Sequence, residues 1–347
     1  MSLNQIIEFL EPFKHWEISN CLNELALNEI IYASVPEGSR VYDGTRAADY
    51  TGKGIDSDRQ PISIDAQYNF FNPKLGFSYS LNESGRIYAS AGVGQREPVR
   101  TDFLDALPGK TPTSEFMIDY EAGYEIKAPL YQLNANLFYM DYKNQLVLTG
   151  QINDVGSALR TNVDKSFRRG IELSGQYSLT EWFAVGANVS LSQNIIKNFE
   201  EYTPVYDDEF YYDSLRLEET DISFSPNAVG GIFFGIKAIK NFEIIMNTKY
   251  VGTQFLDNTS NPFRKIDAFS VTDLRFNYNI QSKWFENINL HLLAANLFNE
   301  MYAPNGYTYS YAYTYMDGGE KIREDVTDNH YFPMAGINFL GGIKIDF

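Results

Sequence analysis

Two stretches of this 347-residue chain carry side chains suited to recognition chemistry. Residues 306–319, GYTYSYAYTYMDGG, place Tyr307, Tyr309, Tyr311, Tyr313 and Tyr315 at every second position. On an extended strand that spacing puts all five phenols on one face. Such a ladder suits stacking on a flat ring, a catecholate, a porphyrin or a sugar, and suits equally well the rigid wall of a long hairpin. Residues 200–221, EEYTPVYDDEFYYDSLRLEETD, mix acids with Tyr202, Tyr206, Tyr211 and Tyr212. Tyr211, Tyr212, Tyr307, Tyr309 and Tyr311 are the expected ligand contacts. Asp207, Asp208, Glu209 and Asp213 have the oxygen chemistry that calcium takes, but no glycine-bearing EF-hand loop surrounds them. A solvated acidic loop is the expectation there.

Covalent chemistry is poorly provided for. His15, His291 and His330 are far apart, Asp328 beside His330 is too sparse a partner, and Cys21 is the only cysteine. Neither a local metal box nor a disulfide framework can be written from them. His291 has Asn289 on its own face of NLHLLAAN, yet no nucleophile motif accompanies it, so a hydrolase is not expected. Glu172 and Arg169 in RRGIEL are read as members of an inward polar lattice. Catalytic residues, metal and cofactor are therefore all expected to be none. The formal charge of −17 argues against nucleic acid, whose binding depends on Lys and Arg neutralising phosphates.

The elements that must position these residues follow from polarity patterning. From about residue 67 onward apolar and polar residues alternate with the strand period. Phe183, Val185, Ala187, Val189 and Leu191 oppose Ala184, Gly186, Asn188, Ser190 and Ser192. Ile171, Leu173 and Tyr177 oppose Glu172, Ser174 and Gln176, and Leu274, Phe276, Tyr278 and Ile280 oppose Asp273, Arg275, Asn277 and Asn279. At the end Ile337, Phe339, Ile343, Ile345 and Phe347 oppose Asn338, Lys344 and Asp346.

About a dozen strands result, near 41–51, 67–81, 85–96, 115–127, 130–143, 166–179, 182–195, 225–239, 242–256, 266–281, 285–300 and 333–347. Tight turns are predicted at Asn82–Gly85, Ala128–Pro129, Thr180–Glu181, Lys240–Asn241 and Ser282–Lys283. Between them come long polar, aromatic loops at 95–114, 143–165, 197–221, 257–265 and 301–330. Short turns at one rim and long loops at the other point to an all-β, antiparallel transmembrane barrel, and count against a soluble β-sandwich or sugar-binding domain. The longest apolar run, Ala228–Ile236, is about half of what a spanning helix needs. Residues 1–40 fit a short amphipathic helix better, with Ile18, Cys21, Leu22 and Leu25 at helical spacing. The opening MSLNQIIEFLEPFKHW lacks the basic region and cleavage site of a secretory signal.

From Ala48 the order and spacing of several segments resemble the barrels of TonB-dependent receptors of Bacteroidetes type. The run begins with ADYTGKGIDSDRQP and continues through DYEAGYEIKAPLYQLNANLFYMDYKNQLVLTG, ALRTNVDKSFRRGIELSGQY, TDISFSPN, KYVGTQFLDNTSN and AANLFNEMYAPNGYTYSY. The resemblance covers residues 48–347 and leaves 1–47 unassigned. It implies a barrel of 22 strands with a plugged lumen, of which about 12 are accounted for. It further implies the bacterial outer membrane, lipid contact and uptake of a ferric siderophore or another large nutrient. Energy would come from the TonB complex through an N-terminal plug absent from this stretch, so the stretch alone is not expected to transport. Asn296, Leu297, Phe298 and Asn299, followed by Tyr302, resemble the family's penultimate-strand motif, with Phe298 a packing or girdle residue. Gly342, Ile345 and Phe347 resemble the closing signal read by the outer-membrane assembly machinery. A passive channel of about 12 strands is the competing expectation.

Overall fold

The computed structural model describes residues 66–104, 106, 111–152, 158–281, 285 and 287–346, together with the pairs 42–43 and 63–64. The expected helix before residue 40 and the terminal Phe347 lie outside the described residues. The chain divides into two units, 1–69 and 70–347. In the first, Tyr42–Asp43 (β1) pairs antiparallel with Ser63–Ile64 (β2).

The second unit is built on strands whose backbone ladders satisfy almost every peptide group along them. In chain order these are β3 (Lys74–Ser80), β4 (Gly85–Arg96), β5 (Glu115–Lys127), β6 (Tyr131–Ile152), β7 (Ala158–Thr180) and β8 (Phe183–Tyr206). They continue with β9 (Phe210–Asp221), β10 (Ala228–Ile239), β11 (Phe242–Val251), β12 (Gln254–Phe255), β13 (Lys265–Ile266) and β14 (Phe269–Ile280). The last are β15 (Asn287–Ala295), β16 (Asn305–Asp317), β17 (Glu320–Phe332) and β18 (Asn338–Asp346). One short helix, α1 (Arg100–Leu104), interrupts the β4–β5 connection.

A wall of antiparallel strands runs in the order β18-β15-β14-β11-β10-β8-β7-β6-β5-β4-β3. These are the last eleven of the expected dozen, and β4 and β5 have the expected bounds. The predicted strand at 41–51 differs: its described part, β1, joins β2 and not the wall. Among the described residues β3 and β18 each have a single neighbour, so the wall has two free edges.

Register turns the alternation into two continuous faces. Tyr79, Ile87, Tyr124, Ala135, Leu173 and Val189 sit side by side across six strands. Because strand side chains alternate, the rest of the apolar rows follow from that one. Leu75 is 79% exposed, Leu137 58% and Ile343 69%, and Ile87, Leu133, Leu173, Leu191 and Leu292 are each more than a third exposed. On the opposite face Arg86 and Lys127 pair with Glu125, Tyr88 donates to Asn136 at 3.1 Å, and Lys237 pairs with Glu243 at 3.1 Å. Glu172 accepts from Asn136 at 3.5 Å within this lattice.

Arg169 departs from its expected inward position. It is three residues from Glu172, an odd number, and so lies on the apolar side, in register with Tyr139 and Gln193. The inward guanidinium is that of Arg168, which donates to Ser225 at 3.0 Å and to Asn194 at 3.3 Å.

Four glycines on the polar face are covered by a ring from the residue directly opposite: Gly123 by Tyr88, Gly170 by Phe138, Gly186 by Phe233 and Gly342 by His291. A Cβ at Gly186 would lie 2.1 Å from Phe233, and one at Gly342 would lie 2.1 Å from His291. Only a residue without a side chain leaves room for these rings.

Tight turns close four of the five predicted sites; Ser282–Lys283 lies outside the described residues. The Asn82 side chain accepts from the backbone of Ser84 at 2.9 Å and of Gly85 at 2.7 Å, and Asn241 adopts the left-handed φ of 62°. Three long connections differ from the expected loops, because 143–165, 197–221 and 301–330 are largely paired as hairpins. Water does not forbid a loop from pairing its own backbone, and Tyr, Val and Thr favour it. Their base holds the principal apolar core: Val147, Val163, Ile196, Phe199 and Ile222, with Leu217 packed against it.

Candidate ligand-binding surface

Beyond the wall β8 continues upward, with β9 in place of β10 on one side and β16 in place of β7 on the other. It pairs antiparallel with β9 and, at Val205 and Tyr206, parallel with Ala312 and Tyr313 of β16. Since β16 also pairs with β17, a four-stranded sheet of order β9-β8-β16-β17 stands on the wall. The β16–β17 turn is Gly318–Gly319 with φ of 57° and 91°, which permits the tight two-residue reversal between Asp317 and Glu320.

One face of this upper sheet is aromatic. Tyr309, Tyr311, Tyr313 and Tyr315 follow one another at 5.8, 6.2 and 5.9 Å between ring centroids. Tyr206 meets Tyr311 edge-on at 6.1 Å, Phe210 packs on Tyr206 at 5.4 Å, and Tyr212 meets Phe210 at 5.1 Å. Tyr307 begins the ladder by stacking on His330 at 4.6 Å. The Tyr309 hydroxyl is pushed up to about 12 by its hydrogen bond with Tyr206 and by burial. The Tyr313 hydroxyl donates to Glu324 at 2.7 Å and is likewise held at about 12, the hydrogen bond being the main cause. These two phenols therefore stay neutral at physiological pH and present π-faces.

The other face is small and ionic. Thr308, Ser310 and Ala312 are buried, and Val205 is fully covered. Lys321 pairs with Asp207 and donates to Asp208 at 2.9 Å; Arg323 pairs with Asp213 and donates to Asp325 at 2.8 Å. Asp207 also accepts from Thr314 at 2.7 Å. These bonds, Lys321's foremost, hold the Asp207 carboxyl at about 2. The acids read as a solvated loop thus fasten β17 to the β8–β9 hairpin. Among the described residues no group of three His, Cys, Asp or Glu side chains is arranged to hold a metal.

A third patch braces the base. Arg264 donates to Glu201 at 2.5 Å and to Asp257 at 2.9 Å. Burial works against its charge, but the two carboxylates outweigh it and raise its pKa.

Of the expected contacts, Tyr212, Tyr307, Tyr309 and Tyr311 are brought to one face. Tyr211 is not, because it pairs with Val205 while Tyr212 pairs with Pro204, and neighbouring strand positions point oppositely. Tyr206 and Phe210 join the face although neither stood among those contacts; the two-residue spacing Tyr206–Asp208–Phe210–Tyr212 carried that signal.

The penultimate motif is a chain reversal. Asn296 and Asn299 take left-handed φ of 51° and 54°. The buried Asn296 side chain accepts from Glu300 N at 2.8 Å and donates to Glu300 O at 2.9 Å and Ala335 O at 3.1 Å. Phe298 stays 73% exposed, and Tyr302 stacks on Phe269 at 4.6 Å. His291 has its ring on Gly342, which accounts for the glycine by packing; Ile345 lies on the outward face.

An antiparallel wall with a bare apolar face, a polar lattice behind it, short turns at one rim and long hairpins at the other is the build of a transmembrane β-barrel. The family model described as TonB dependent receptor-like, beta-barrel, matches residues 38–299, and the chain belongs to that family. Its members are transport receptors. The match begins ahead of residue 48, where the sequence resemblance starts.

Among solved structures, the chain is similar to the siderophore receptor PiuA from Acinetobacter baumannii, with a TM-score of 0.60 and 15% identity over 83% of this chain and 38% of that one. It is similar to the ferric-catecholate import receptor Fiu from Escherichia coli K12 in its closed form, with a TM-score of 0.57 and 18% identity over 83% and 37%. The copper transporter OprC matches with a TM-score of 0.54 and 17% identity over 78% and 39%. The chain therefore spans under two fifths of the length of each. No curated protein matches.

Proposed function

We propose that the chain supplies wall and extracellular binding surface to an outer-membrane receptor that imports a large nutrient complex, a ferric siderophore foremost. The observation that carries this reading is the aromatic face joining β8, β9 and β16 above the wall. Planar catecholate rings match neutral phenol faces spaced about one ring apart. The solved structures that share the fold include a siderophore receptor, a ferric-catecholate import receptor and a copper transporter, so the shared wall is compatible with different cargoes and we assign the choice of cargo to the hairpins. No covalent chemistry enters, and uptake depends on binding followed by plug movement. Coupled uptake is proposed for the receptor complete with its plug and TonB-contacting segment, and binding without energised transport for this chain alone.

Tyrosine fluorescence of the full chain in detergent, titrated with a ferric tris-catecholate complex, tests the surface. Saturable quenching is expected, weakened at least about fivefold by Tyr309→Ala with Tyr311→Ala and not by Tyr211→Ala; each stacked ring is worth about 0.5–1.5 kcal/mol. Equal quenching in all three proteins would sink it. TonB-dependent uptake into liposomes by this chain alone would refute the second half. Stable conductance in planar bilayers would favour a passive channel instead.

Gly342, Ile345 and Phe347 are proposed as the signal for the assembly machinery. Deleting Phe347 is expected to lower the amount in the outer membrane while leaving detergent refolding unchanged. A parallel fall in refolding would assign the residue to packing alone.

A further inference from the structure

The outward position of Arg169 opens onto a larger feature. Four successive rows run up the apolar face of β6, β7 and β8: Leu137, Ile171, Leu191; then Tyr139, Arg169, Gln193; then Asp141, Phe167, Ile195; then Lys143, Lys165, Lys197. The last row sets three lysines directly opposite one another. Like charges in that relation, about 4.5–5.5 Å apart at Cβ, destabilise a sheet. Lys197 is relieved by Glu219, but no ion pair to Lys143, Lys165 or Arg169 occurs among the described residues. Arg169 instead spends its donors on neutral Gln193, at 2.9 and 2.7 Å, and lies 5.2 Å from the Phe167 ring. Asp141 is the one acid between the two cationic levels and forms no ion pair with them among the described residues, so with Glu219 two acids face four cations, and that surplus calls for an external anion.

Directly below is a shallow groove of about 530 Å³ floored by Leu137, Ile171 and Leu191 and edged by Tyr139, Arg169 and Gln193. Apolar floor and cationic edge together fit an amphiphile. The Arg169 and lysine levels are four residues apart, about 13 Å along a strand, which is room for two anionic groups on one headgroup. We propose that this face binds a lipid of the outer leaflet, with an acyl chain laid over Leu137, Ile171 and Leu191 and a headgroup bearing two phosphates held by Arg169, Lys143 and Lys165. The bound lipid would relieve the lysine row and brace the three strands that continue into the extracellular hairpins.

The inference rests on the apolar face meeting a bilayer, as the proposed function requires. The full chain, first inserted into phosphatidylcholine vesicles, is extracted in detergent and mixed with diphosphoryl lipid A, its dephosphorylated form or inorganic pyrophosphate, and the retained species are weighed by native mass spectrometry. The diphosphorylated lipid is expected to be retained about a hundredfold better than the dephosphorylated one, from three basic residues at about fivefold each. K143Q/K165Q/R169Q should lose that preference, K143R/K165R/R169K should keep it, and Lys344→Gln on the polar face should change nothing. Equal retention of both lipids, or an unaltered preference in the glutamine variant, overturns the proposal, as does equal capture of pyrophosphate. If the arginine and lysine swaps fail as the glutamine variant does while all insert normally, the proposal fails too. A chain that never inserts breaks the membrane reading itself, a separate result.

Discussion

The wall and the upper sheet are made of the same antiparallel strands, yet they use their two faces for opposite purposes. In the wall, alternation sorts side chains by solvent, apolar rows outward and an ionic lattice behind. In the upper sheet both faces meet water or protein, and alternation sorts chemistry: tyrosines on one side, ion pairs and small residues on the other. Among the described residues the buried apolar cluster lies not in the wall but in the hairpins, which close over Ile196, Phe199 and their neighbours. A wall strand is thus stable only with lipid, and a hairpin strand only with its packed partners.

That contrast can be broken most forcefully at Phe199. Phe199→Ala removes a buried ring and should cost about 3–5 kcal/mol, all of it in the hairpins. Hydrogen exchange in detergent should show β8 deprotected above Ile196 and the lower wall unchanged; uniform loss would mean that the two regions are one cooperative unit. Next in size is Leu173→Arg, a charge on the lipid side of β7, expected to destabilise the chain in vesicles by about 2–4 kcal/mol. The matching Leu215→Arg, on the exposed side of β9, should stay within about 0.5 kcal/mol. Urea unfolding from lipid checks both, and equal effects would erase the distinction between solvents. Gly186→Val should cost about 1–3 kcal/mol by displacing the Phe233 ring, with no such penalty at the open turn residue Gly318 when Asn replaces it.

The smallest effect separates the regions by pH. Asp207 titrates at about 2 in the folded chain, below its ordinary 3.8, so its pairing stabilises the sheet above about pH 4 and is lost as pH falls towards 2. Lys321, raised to about 12 chiefly by the same bond to Asp207, contributes nothing to that acid window. Acid should therefore loosen β17 from the β8–β9 hairpin in that interval, read as a change in tyrosine fluorescence, and Asp207→Asn should flatten the change.

Much of the wall was legible because a strand has a period of two and lipid tolerates only one polarity. Eleven strand positions, four of the short turns and the aromatic ladder all follow from local patterning. Arg169 shows where this stops: RRGIEL offers two arginines, and only the hydrogen-bond register says which of Arg168 and Arg169 joins Glu172. The hairpins beyond the wall were hidden for a different reason. Their polarity looks like that of loops, although Asp317, Gly318 and Gly319 held the sign of a tight reversal.

By itself the sequence determined which residues share a face within each strand, since that is a property of neighbouring peptide units. Tertiary structure alone decided which strands meet and in what phase: β16 beside β8, Tyr206 beside Tyr311, a ring over four inward glycines, and three lysines in one row. Those contacts join residues tens to a hundred positions apart. Their energies depend on separations set by hydrogen-bond register, and a shift of one residue in any strand would send every one of them to the other face.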